Sequence, residues 1–232
     1  MQKKIDTTVS FYKFIKIDNL ENLKFKIHRC LKELNIYGTV ILAPEGINAN
    51  FCGPKDDVEL CKSYISNLLS LDSIHYNTSS VSGKVFTKLK VKIKNEIIKA
   101  GFTISEEIVS QNNSLEPMEW DKLLDQKPLI IDMRNRFEYL LGTFENSKSL
   151  DLLNFSDLKD SLKNNKAIDT KKDVAIFCTG GIRCEKATVA LKEIGFNNIF
   201  QLKGGIINYL NDPDNKNKWK GDCFVFDDRI TY

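Results

Sequence analysis

The chain has 232 residues, of which 42% are hydrophobic and 28% are charged, as is usual for a globular protein and unlike a disordered or fibrous one. No apolar run is long enough to span a bilayer, and residues 1–6 lack the apolar core of a signal peptide, so we expect a cytoplasmic protein with no membrane partner. The formal net charge of +3 is too small to indicate nucleic-acid binding by itself.

The first part of the chain predicts a small domain of strands and helices. Strands are predicted over residues 8–17, 37–42 and 48–52, a fourth begins near residue 73, and amphipathic helices are predicted over 20–34 and 55–69. This βαββαβ order is that of the ferredoxin-like fold. We therefore assign residues 1–100 to a ferredoxin-like domain.

Lysines alternate with apolar residues at the end of this domain. If residues 86–94 form a strand, alternation places four lysines on one face, and Lys84 continues the pattern; the four are Lys88, Lys90, Lys92 and Lys94. A row of ammonium groups suits a phosphate backbone, so these lysines are candidates for RNA binding. The sequence supports equally an edge strand that its lysines protect from aggregation.

The second part of the chain has a different pattern. Residues 101–116 contain few apolar side chains and are predicted to be a linker. From residue 117 to 232, short apolar strands alternate with helices, with strands predicted over 128–132, 173–177 and 198–202. Such alternation predicts a parallel sheet with helices on both faces, which makes this second domain an α/β domain.

One stretch of the second domain has the features of a reactive site. Cys178 directly follows a predicted strand and lies on a loop that opens a predicted helix, where open α/β sheets place reactive groups. Small residues follow the cysteine, so the loop can turn its backbone N–H groups toward an anion; the predicted anion-binding residues are Thr179, Gly180, Gly181 and Ile182. The charge of Arg183 should lower the pKa of the Cys178 thiol.

Two charged residues follow the strand over 128–132. We interpret Asp132 and Arg134 as an ion pair that supports the cysteine loop rather than as catalytic groups. The alternative for Arg134 is a contact with phosphate, and Arg136 is a further candidate for RNA binding.

The start of the helix after Cys178 allows two interpretations of Cys184. We favour a small helix residue that faces the sheet, and the alternative is a thiol that resolves oxidised Cys178 as a disulfide. The next two residues, Glu185 and Lys186, are predicted to be a solvated helix start. The chain has only two histidines, His28 and His75, and both precede the second domain, so we predict no metal site there. No cofactor motif for flavin, haem or non-haem iron is evident either.

Several strings carry a resemblance to known families. Asp132-x-Arg134, the six-residue loop from Cys178 to Arg183, and Leu202-x-Gly204-Gly205 resemble a rhodanese domain. Longer strings resemble the bacterial tRNA uridine hydroxylase family, in order along the chain: residues 43–48 (APEGIN), 132–135 with Glu138, 178–187 (CTGGIRCEKA), and 223–227 (CFVFD) with Arg229.

This resemblance implies an acylphosphatase-like domain followed by a rhodanese-like domain. It implies oxygen-dependent hydroxylation of the wobble uridine, position 34, in the anticodon region of tRNA to give 5-hydroxyuridine. It also implies that Cys178 is the catalytic cysteine, and that dioxygen and an unidentified reductant are consumed. Cys178 either adds to the base or itself carries sulfur or oxygen, and the residues leave these alternatives open.

Two other functions are compatible with the sequence. A sulfurtransferase that carries a persulfide on Cys178 would be consistent with the rhodanese-like loop alone. A binding module without catalysis is the third interpretation, and the presence of both Cys178 and Arg183 argues against it.

Overall fold

The structure is a computed structural model that describes residues 5–71, 73–83, 85–164 and 169–232. The chain forms two compact units, one made of residues up to 97 together with 226–229, and the other made of residues 98–225 together with 230–232. Within the described ranges, no helix combines the length and the apolar character that crossing a bilayer requires.

The first unit is a five-stranded sheet with two helices. Its elements are β1 (Ile5–Phe14), α1 (Leu20–Glu33), β2 (Tyr37–Ala43), β3 (Gly46–Gly53), α2 (Lys55–Leu68), β4 (Asn77–Ser82) and β5 (Leu89–Ile93). The strand order is β4-β1-β3-β2-β5; the pairs among the first four strands are antiparallel, and β5 is parallel to β2. The predicted βαββαβ order is confirmed.

Several predicted strand boundaries are wrong in this unit, and the largest shifts are in the first and fourth strands. The first strand ends at Phe14 rather than at residue 17, because the backbone N–H groups of Ile15 and Ile17 donate to the carbonyls of Glu45 and Pro44 and leave the ladder. The fourth strand begins at Asn77 rather than near residue 73, and its pairing partner there is Ser10 of β1.

Both helices pack on the same face of the sheet. Asn19 caps α1 through a side-chain oxygen that accepts from the backbone N–H of Asn22 at 3.1 Å. Apolar residues of both helices meet odd-numbered residues of β1 and β3 in one core; they are Leu23, Ile27, Leu31, Val58, Cys61, Ile65, Val9, Phe11, Ile47, Ala49 and Phe51. Even-numbered residues of β1 and β3 therefore point to the opposite face.

β5 is an edge strand whose lysines are exposed. Val91 packs in the core under the helices, while the exposed lysines on and beside this strand are Lys88, Lys90, Lys92 and Lys94. The predicted alternation is therefore present, although the strand is shorter than predicted. Lys84 lies outside the described residues. The edge position is compatible with either interpretation of the lysines.

The turn between β2 and β3 holds the end of the first unit. Glu45, which is buried, accepts a hydrogen bond from the backbone N–H of Ile97 at 2.9 Å. Asn48 donates through Nδ2 to the carbonyl oxygen of Ile97 at 3.0 Å. The residue pattern in 43–48 thus has a structural reason, since Glu45 and Asn48 together satisfy both backbone groups of the buried Ile97.

The second unit is a parallel sheet with helices on both faces. Its elements are α3 (Glu106–Ser110), β6 (Asn113–Leu115), α4 (Pro117–Asp125), β7 (Leu129–Asp132), α5 (Arg136–Leu141), β8 (Gly142–Phe144), β9 (Lys148–Ser149), a 3₁₀ turn (Phe155–Asp157), α6 (Leu158–Asn164), β10 (Val174–Phe177), α7 (Ile182–Glu193), β11 (Ile199–Leu202), α8 (Gly205–Asn211) and β12 (Trp219–Gly221). The five-stranded order is β6-β11-β10-β7-β9, and β12 pairs with β8 separately. All pairs in the larger sheet are parallel, as predicted.

The structure folds the predicted linker into the second unit. Residues 101–116 contain α3 and β6, and β6 is an edge strand that pairs with β11. The polar composition that suggested a linker belongs to an edge strand of only three residues, which has few side chains to bury. C-terminal residues 226–229 also depart from the predicted division, since they group with the first unit.

The central strand β10 is buried on both faces and ends directly before Cys178. Val174 and Ile176 face a core with α6 and α7, whereas Ala175 and Phe177 face a second core that includes Trp120. This strand lies between β7 and β11, so its carboxyl end is at the middle of the sheet edge. The fold therefore places residue 178 where loops from several strands converge.

A pair of substitutions on α1 tests the packing of the first unit. We expect Ile27→Ala to lower the free energy of unfolding by about 2–5 kcal/mol, because Ile27 is fully buried among the core residues. Phe25→Ala is the matched control on the same helix; its side chain is largely exposed, so we expect a change within about 0.5 kcal/mol. Urea unfolding of both variants measures this, and equal effects would contradict the assigned orientation of α1.

Candidate active site

The cysteine loop lies between the end of β10 and the start of α7, and α8 packs against its backbone. The backbone N–H of Ile206 donates to the carbonyl oxygen of Cys178 at 3.0 Å, and that of Ile207 donates to Thr179 at 3.1 Å. These bonds satisfy two loop carbonyls and hold the first turn of α8 beside the loop.

Gly205 allows this close approach. Its φ angle is +68°, and a Cβ atom there would lie 2.4 Å from the carbonyl oxygen of Cys178 and 2.6 Å from that of Thr179. Neither oxygen belongs to a flexible side chain, so any larger residue would displace the loop. This explains Gly205 in the rhodanese-like pattern.

The sulfur of Cys178 is surrounded by hydrogen-bond donors. The backbone N–H of Gly181 donates to Sγ at 3.2 Å, and the N–H groups of Arg183 and Cys184 and the Cys184 thiol donate to it as well. These donors lie at the N-terminal end of a twelve-residue helix, whose dipole favours an anion there. Burial by itself raises the pKa of the Cys178 thiol, but the Cys184 thiol, the charge of Arg183 and the N–H groups outweigh it and lower the pKa to about 6.

The donors differ in part from those predicted. Four loop residues were predicted to bind an anion. Among the described residues, Gly181 is the one of these four whose backbone N–H donates to the sulfur of Cys178. The other backbone donors lie further along, at residues 183 and 184. The positive φ of Gly181, +98°, turns the chain into the helix, so that the N–H groups of the helix start reach the sulfur.

The guanidinium of Arg183 forms an ion pair that the sequence analysis missed. It donates to both carboxylate oxygens of Glu138, at 2.7 and 2.8 Å, and to the hydroxyl oxygen of Thr179 at 3.0 Å. Burial by itself raises the pKa of Glu138, but the bonds and charge of Arg183 outweigh it and leave that pKa below its usual value. The pKa of Arg183 is raised in turn, because the Glu138 bonds outweigh the effect of burial. The arginine therefore acts on the sulfur by its charge and its backbone N–H, while its side chain is committed to Glu138.

A signal for Glu138 was present in the sequence. Asn135 and Glu138 form a capping box at the start of α5, in which the Glu138 carboxylate accepts from the backbone N–H of Asn135 at 3.1 Å. The Asn-x-x-Glu spacing predicts a helix start, but it does not show that the carboxylate also reaches an arginine 45 positions later.

Asp132 and Arg134 form a second buried ion pair. Arg134 donates to Asp132 from Nε at 2.9 Å and from a terminal nitrogen at 2.6 Å, and also to the carbonyl oxygen of Gly142. The hydroxyl of Thr143 donates to the same carboxylate at 3.1 Å. The guanidinium also lies 5.1 Å from the ring centre of Trp219, within cation–π distance. Both ionic side chains are fully buried, so in this conformation Arg134 does not present its charge at the surface.

The thiol of Cys184 remains protonated beside Cys178. Burial and the neighbouring sulfur raise the pKa of Cys184 well above its usual value of 9.0, so Cys184 donates its proton to the hydrogen bond and Cys178 accepts. Both residues are fully buried. Cys184 of α7 also belongs to the core that includes Ile131 of β7 and Ile176 of β10, which agrees with a small helix residue that faces the sheet.

The prediction of a solvated helix start is wrong. Glu185 is buried, and its carboxylate accepts from Asn112 at 2.7 Å and from Gln201 at 2.9 Å. Lys186 is fully buried, and its ammonium donates to the carbonyl oxygen of Phe102 at 2.6 Å. Residues of the predicted linker cover this part of α7, which local sequence could not reveal.

The predicted RNA-binding residues belong to different units. Arg136 is an exposed residue of the second unit, 3.8 Å from the carboxylate of Asp151, whereas the lysines on and beside β5 belong to the first unit. Within the described ranges, no group of three or more His, Cys, Asp or Glu residues is placed to hold a metal ion.

Each of the two units matches a known protein family. Residues 7–97 match the family model described as UPF0176 acylphosphatase like domain, and residues 116–212 match that of the rhodanese-like domain. These matches confirm the expected fold class of an acylphosphatase-like domain followed by a rhodanese-like domain.

Relatives match along nearly the whole chain. A tRNA uridine(34) hydroxylase of Legionella pneumophila (strain Corby) is 39% identical over 223 residues, which cover 95% of this chain and 88% of the relative. One of Pelagibacter ubique (strain HTCC1062) is 42% identical over 224 residues, which cover 95% and 73%. From the order of its two domains and this similarity along its length, the chain belongs to the tRNA uridine(34) hydroxylase family.

Proposed function

We propose that this protein hydroxylates C5 of uridine 34 in tRNA to give 5-hydroxyuridine, with Cys178 as its catalytic residue. The observation that carries the proposal is a cysteine with its pKa lowered to about 6, at the carboxyl end of a central strand, in a chain of this family. A thiol with that pKa is mostly ionised at neutral pH, and the thiolate is the nucleophilic form.

The first chemical step is addition of the Cys178 thiolate to C6 of the uracil ring. Addition breaks the C5–C6 double bond and places the electron pair at C5, conjugated with the C4 carbonyl. C5 is then a nucleophile that can attack an electrophilic oxygen. Loss of the C5 proton and departure of the thiolate from C6 restore the double bond, so the net change is C5–H to C5–OH.

The hydroxylation requires an oxidant and a reductant. We propose dioxygen as oxidant: one oxygen atom enters the base, and the other leaves as water after it takes up two electrons and two protons from a reductant. The reductant is external, because the steps assigned to Cys178 leave the thiol at its original oxidation level.

The residues around the sulfur contribute to the departure of the thiolate. The N–H groups of Gly181, Arg183 and Cys184 stabilise the negative charge that returns to sulfur when the C6–S bond breaks. Glu138 positions Arg183 through two hydrogen bonds and thereby positions the start of α7. Cys178 is fully buried in this conformation, so the surrounding residues must move before a base reaches the sulfur.

The anticodon region of tRNA is the proposed partner, held through its phosphates. Lys90 and Lys92 lie on the face of the sheet opposite the helices, and Lys88 and Lys94 flank them in the chain; all four are exposed. A row of this kind supports contacts with successive phosphates. Arg136 is a further candidate, and its exposed ion pair with Asp151 would exchange readily for a phosphate contact.

Sulfur transfer is a second candidate function that the same geometry favours. A persulfide on Cys178 would carry its charge on the outer sulfur, and the helix-start N–H groups would stabilise that anion as they do the thiolate. The product distinguishes the two functions, because one adds oxygen to the base and the other adds sulfur.

Mass spectrometry of tRNA nucleosides tests the proposed reaction. In cells that lack this protein, we expect the wild-type gene to restore a uridine that has gained one oxygen, and Cys178→Ser to fail. The matched control is Cys223→Ser, because Cys223 is also buried, with its pKa raised to about 12, and should leave the modification in place. A gain of sulfur would support the second function, and no change in any nucleoside would reject both.

A titration tests the role of Cys184. We expect Cys184→Ala to raise the pKa of Cys178 from about 6 toward 9.0, because the thiolate loses a hydrogen-bond donor. Cys184→Ser keeps a donor and should hold the pKa low. Thiolate absorbance measures this directly, because the pKa values of the other cysteines are all raised.

Cys178→Ser is the control for this titration, and it should remove the transition near pH 6. An unchanged midpoint in Cys184→Ala would show that Cys184 does not affect the ionisation of Cys178.

Charge reversal on β5 separates RNA binding from edge protection. We expect Lys90→Glu with Lys92→Glu to weaken tRNA binding and to reduce the slope of log K against log salt by about 1 for each phosphate that is no longer neutralised. Lys26→Glu with Lys32→Glu changes the net charge equally on α1 and is the matched control. Equal affinities and slopes in both double variants would leave only the edge-strand interpretation.

A further inference from the structure

A cavity of about 250 Å³ opens at one end of the sheet in the first unit. Its walls include Asp6 of β1, Tyr37 of β2 and Cys52 of β3, and Phe86, which precedes β5, closes one side. The cavity belongs entirely to the first unit, so it is separate from the cysteine loop of the second.

Strand register explains why these side chains converge. Tyr37 is paired directly with Cys52, and Cys52 is paired with Thr8 on its other side. Asp6 lies two residues before Thr8 and therefore on the same face of the sheet. This is the face opposite the helices, because Phe51, the neighbour of Cys52, packs in the core under them.

The carboxylate of Asp6 is the unusual feature of the cavity. Asp6 is only 6% exposed, and its Oδ1 atom is buried with no hydrogen-bond partner among the described residues. A buried acceptor without a donor costs free energy, and a charged one costs more. Asp6 lines the cavity, so a ligand there that offers N–H groups would donate to this carboxylate.

The size and the other walls restrict the ligand. Pockets for drug-sized ligands have volumes of about 300–1,000 Å³, so this cavity suits a smaller planar group. Tyr37 and Phe86 supply aromatic rings, on which unpaired RNA bases stack in proteins that bind single strands. One nucleobase is a planar group of this size that combines a stacking face with N–H donors.

The lysine row begins beside the cavity. Lys88 comes two residues after Phe86, and its carbonyl oxygen accepts from the backbone N–H of Gly38, next to Tyr37, at 3.1 Å. The exposed lysines continue from there along β5. A strand whose phosphates followed these lysines would bring a base to the mouth of the cavity.

We infer that this cavity binds one unpaired guanine base of the RNA substrate, with the Asp6 carboxylate accepting from its Watson–Crick edge. Guanine offers N1–H and an N2 amino group side by side, which match the two oxygens of one carboxylate. The inference rests on the proposed RNA substrate and adds a base-reading site to it. Asp6 is thus a specificity residue, distant in sequence from the catalytic cysteine.

Short RNAs that differ in one base test the assignment. The ligands are heptauridylate and the same RNA with a single central guanosine or inosine, bound to the full-length protein and followed by fluorescence anisotropy. We expect the guanosine RNA to bind about tenfold more tightly than the inosine RNA, because inosine lacks the N2 amino group. Equal affinity for the two would overturn the assignment.

Variants connect this preference to the cavity. Asp6→Asn keeps the shape of the side chain and should abolish the preference for guanosine over inosine. Phe86→Ala should weaken binding of the guanosine RNA on the order of tenfold through loss of stacking. Asp18→Asn makes the same charge change at an exposed site and should retain the preference. A preference that persists in Asp6→Asn would refute the inference.

Photochemical crosslinking locates the base without relying on a variant. An RNA that carries 6-thioguanosine at the central position should crosslink to the peptide with Tyr37 or Phe86, and crosslinks confined to other peptides would refute the site. Cys178→Ser protein should give the same crosslink. If the wild-type protein gives the crosslink but does not hydroxylate tRNA, the proposed function is wrong and the pocket assignment stands. If the wild-type protein hydroxylates tRNA but shows no preference for guanosine over inosine, the pocket assignment is wrong and the proposed function stands.

Discussion

The buried ion pair between Glu138 and Arg183 holds the candidate active site together. Its two hydrogen bonds join the start of α5, which follows β7, to the start of α7, which follows the cysteine loop. Removal of one partner from such a pair would leave an uncompensated charge and cost about 3–5 kcal/mol. Thr179 contacts both members, so the loop backbone next to Cys178 depends on the same pair.

The ionisation of Cys178 follows from this arrangement. Burial opposes a charged sulfur, and several donors at the start of α7, together with the charge of Arg183, overcome that effect. Because Glu138 binds the guanidinium, the arginine cannot leave its position to follow a ligand. Under the proposed mechanism, the same donors would stabilise the thiolate before it adds to a base and again when it departs.

The two faces of the sheet in the first unit differ in character. One face packs against α1 and α2, and the alternation that places Val91 in that core also places Lys90 and Lys92 on the other face. That second face carries Tyr37, Cys52 and Asp6 around a cavity. Its polar and basic character suits an RNA surface, whereas the apolar face provides the stability that holds the strands in register.

The sequence by itself determined the order of the main strands and helices, the position of Cys178 directly after a strand, and the alternation of the β5 lysines, because each depends on residues close together in the chain. Tertiary structure decided the rest. Glu138 meets Arg183 across 45 positions, and Asn112 covers Glu185 across 73, so a residue that looked solvated became buried and a supposed linker became a strand. Local patterns report which face a side chain takes, but the partner on that face is supplied by distant segments, and only folding brings them together.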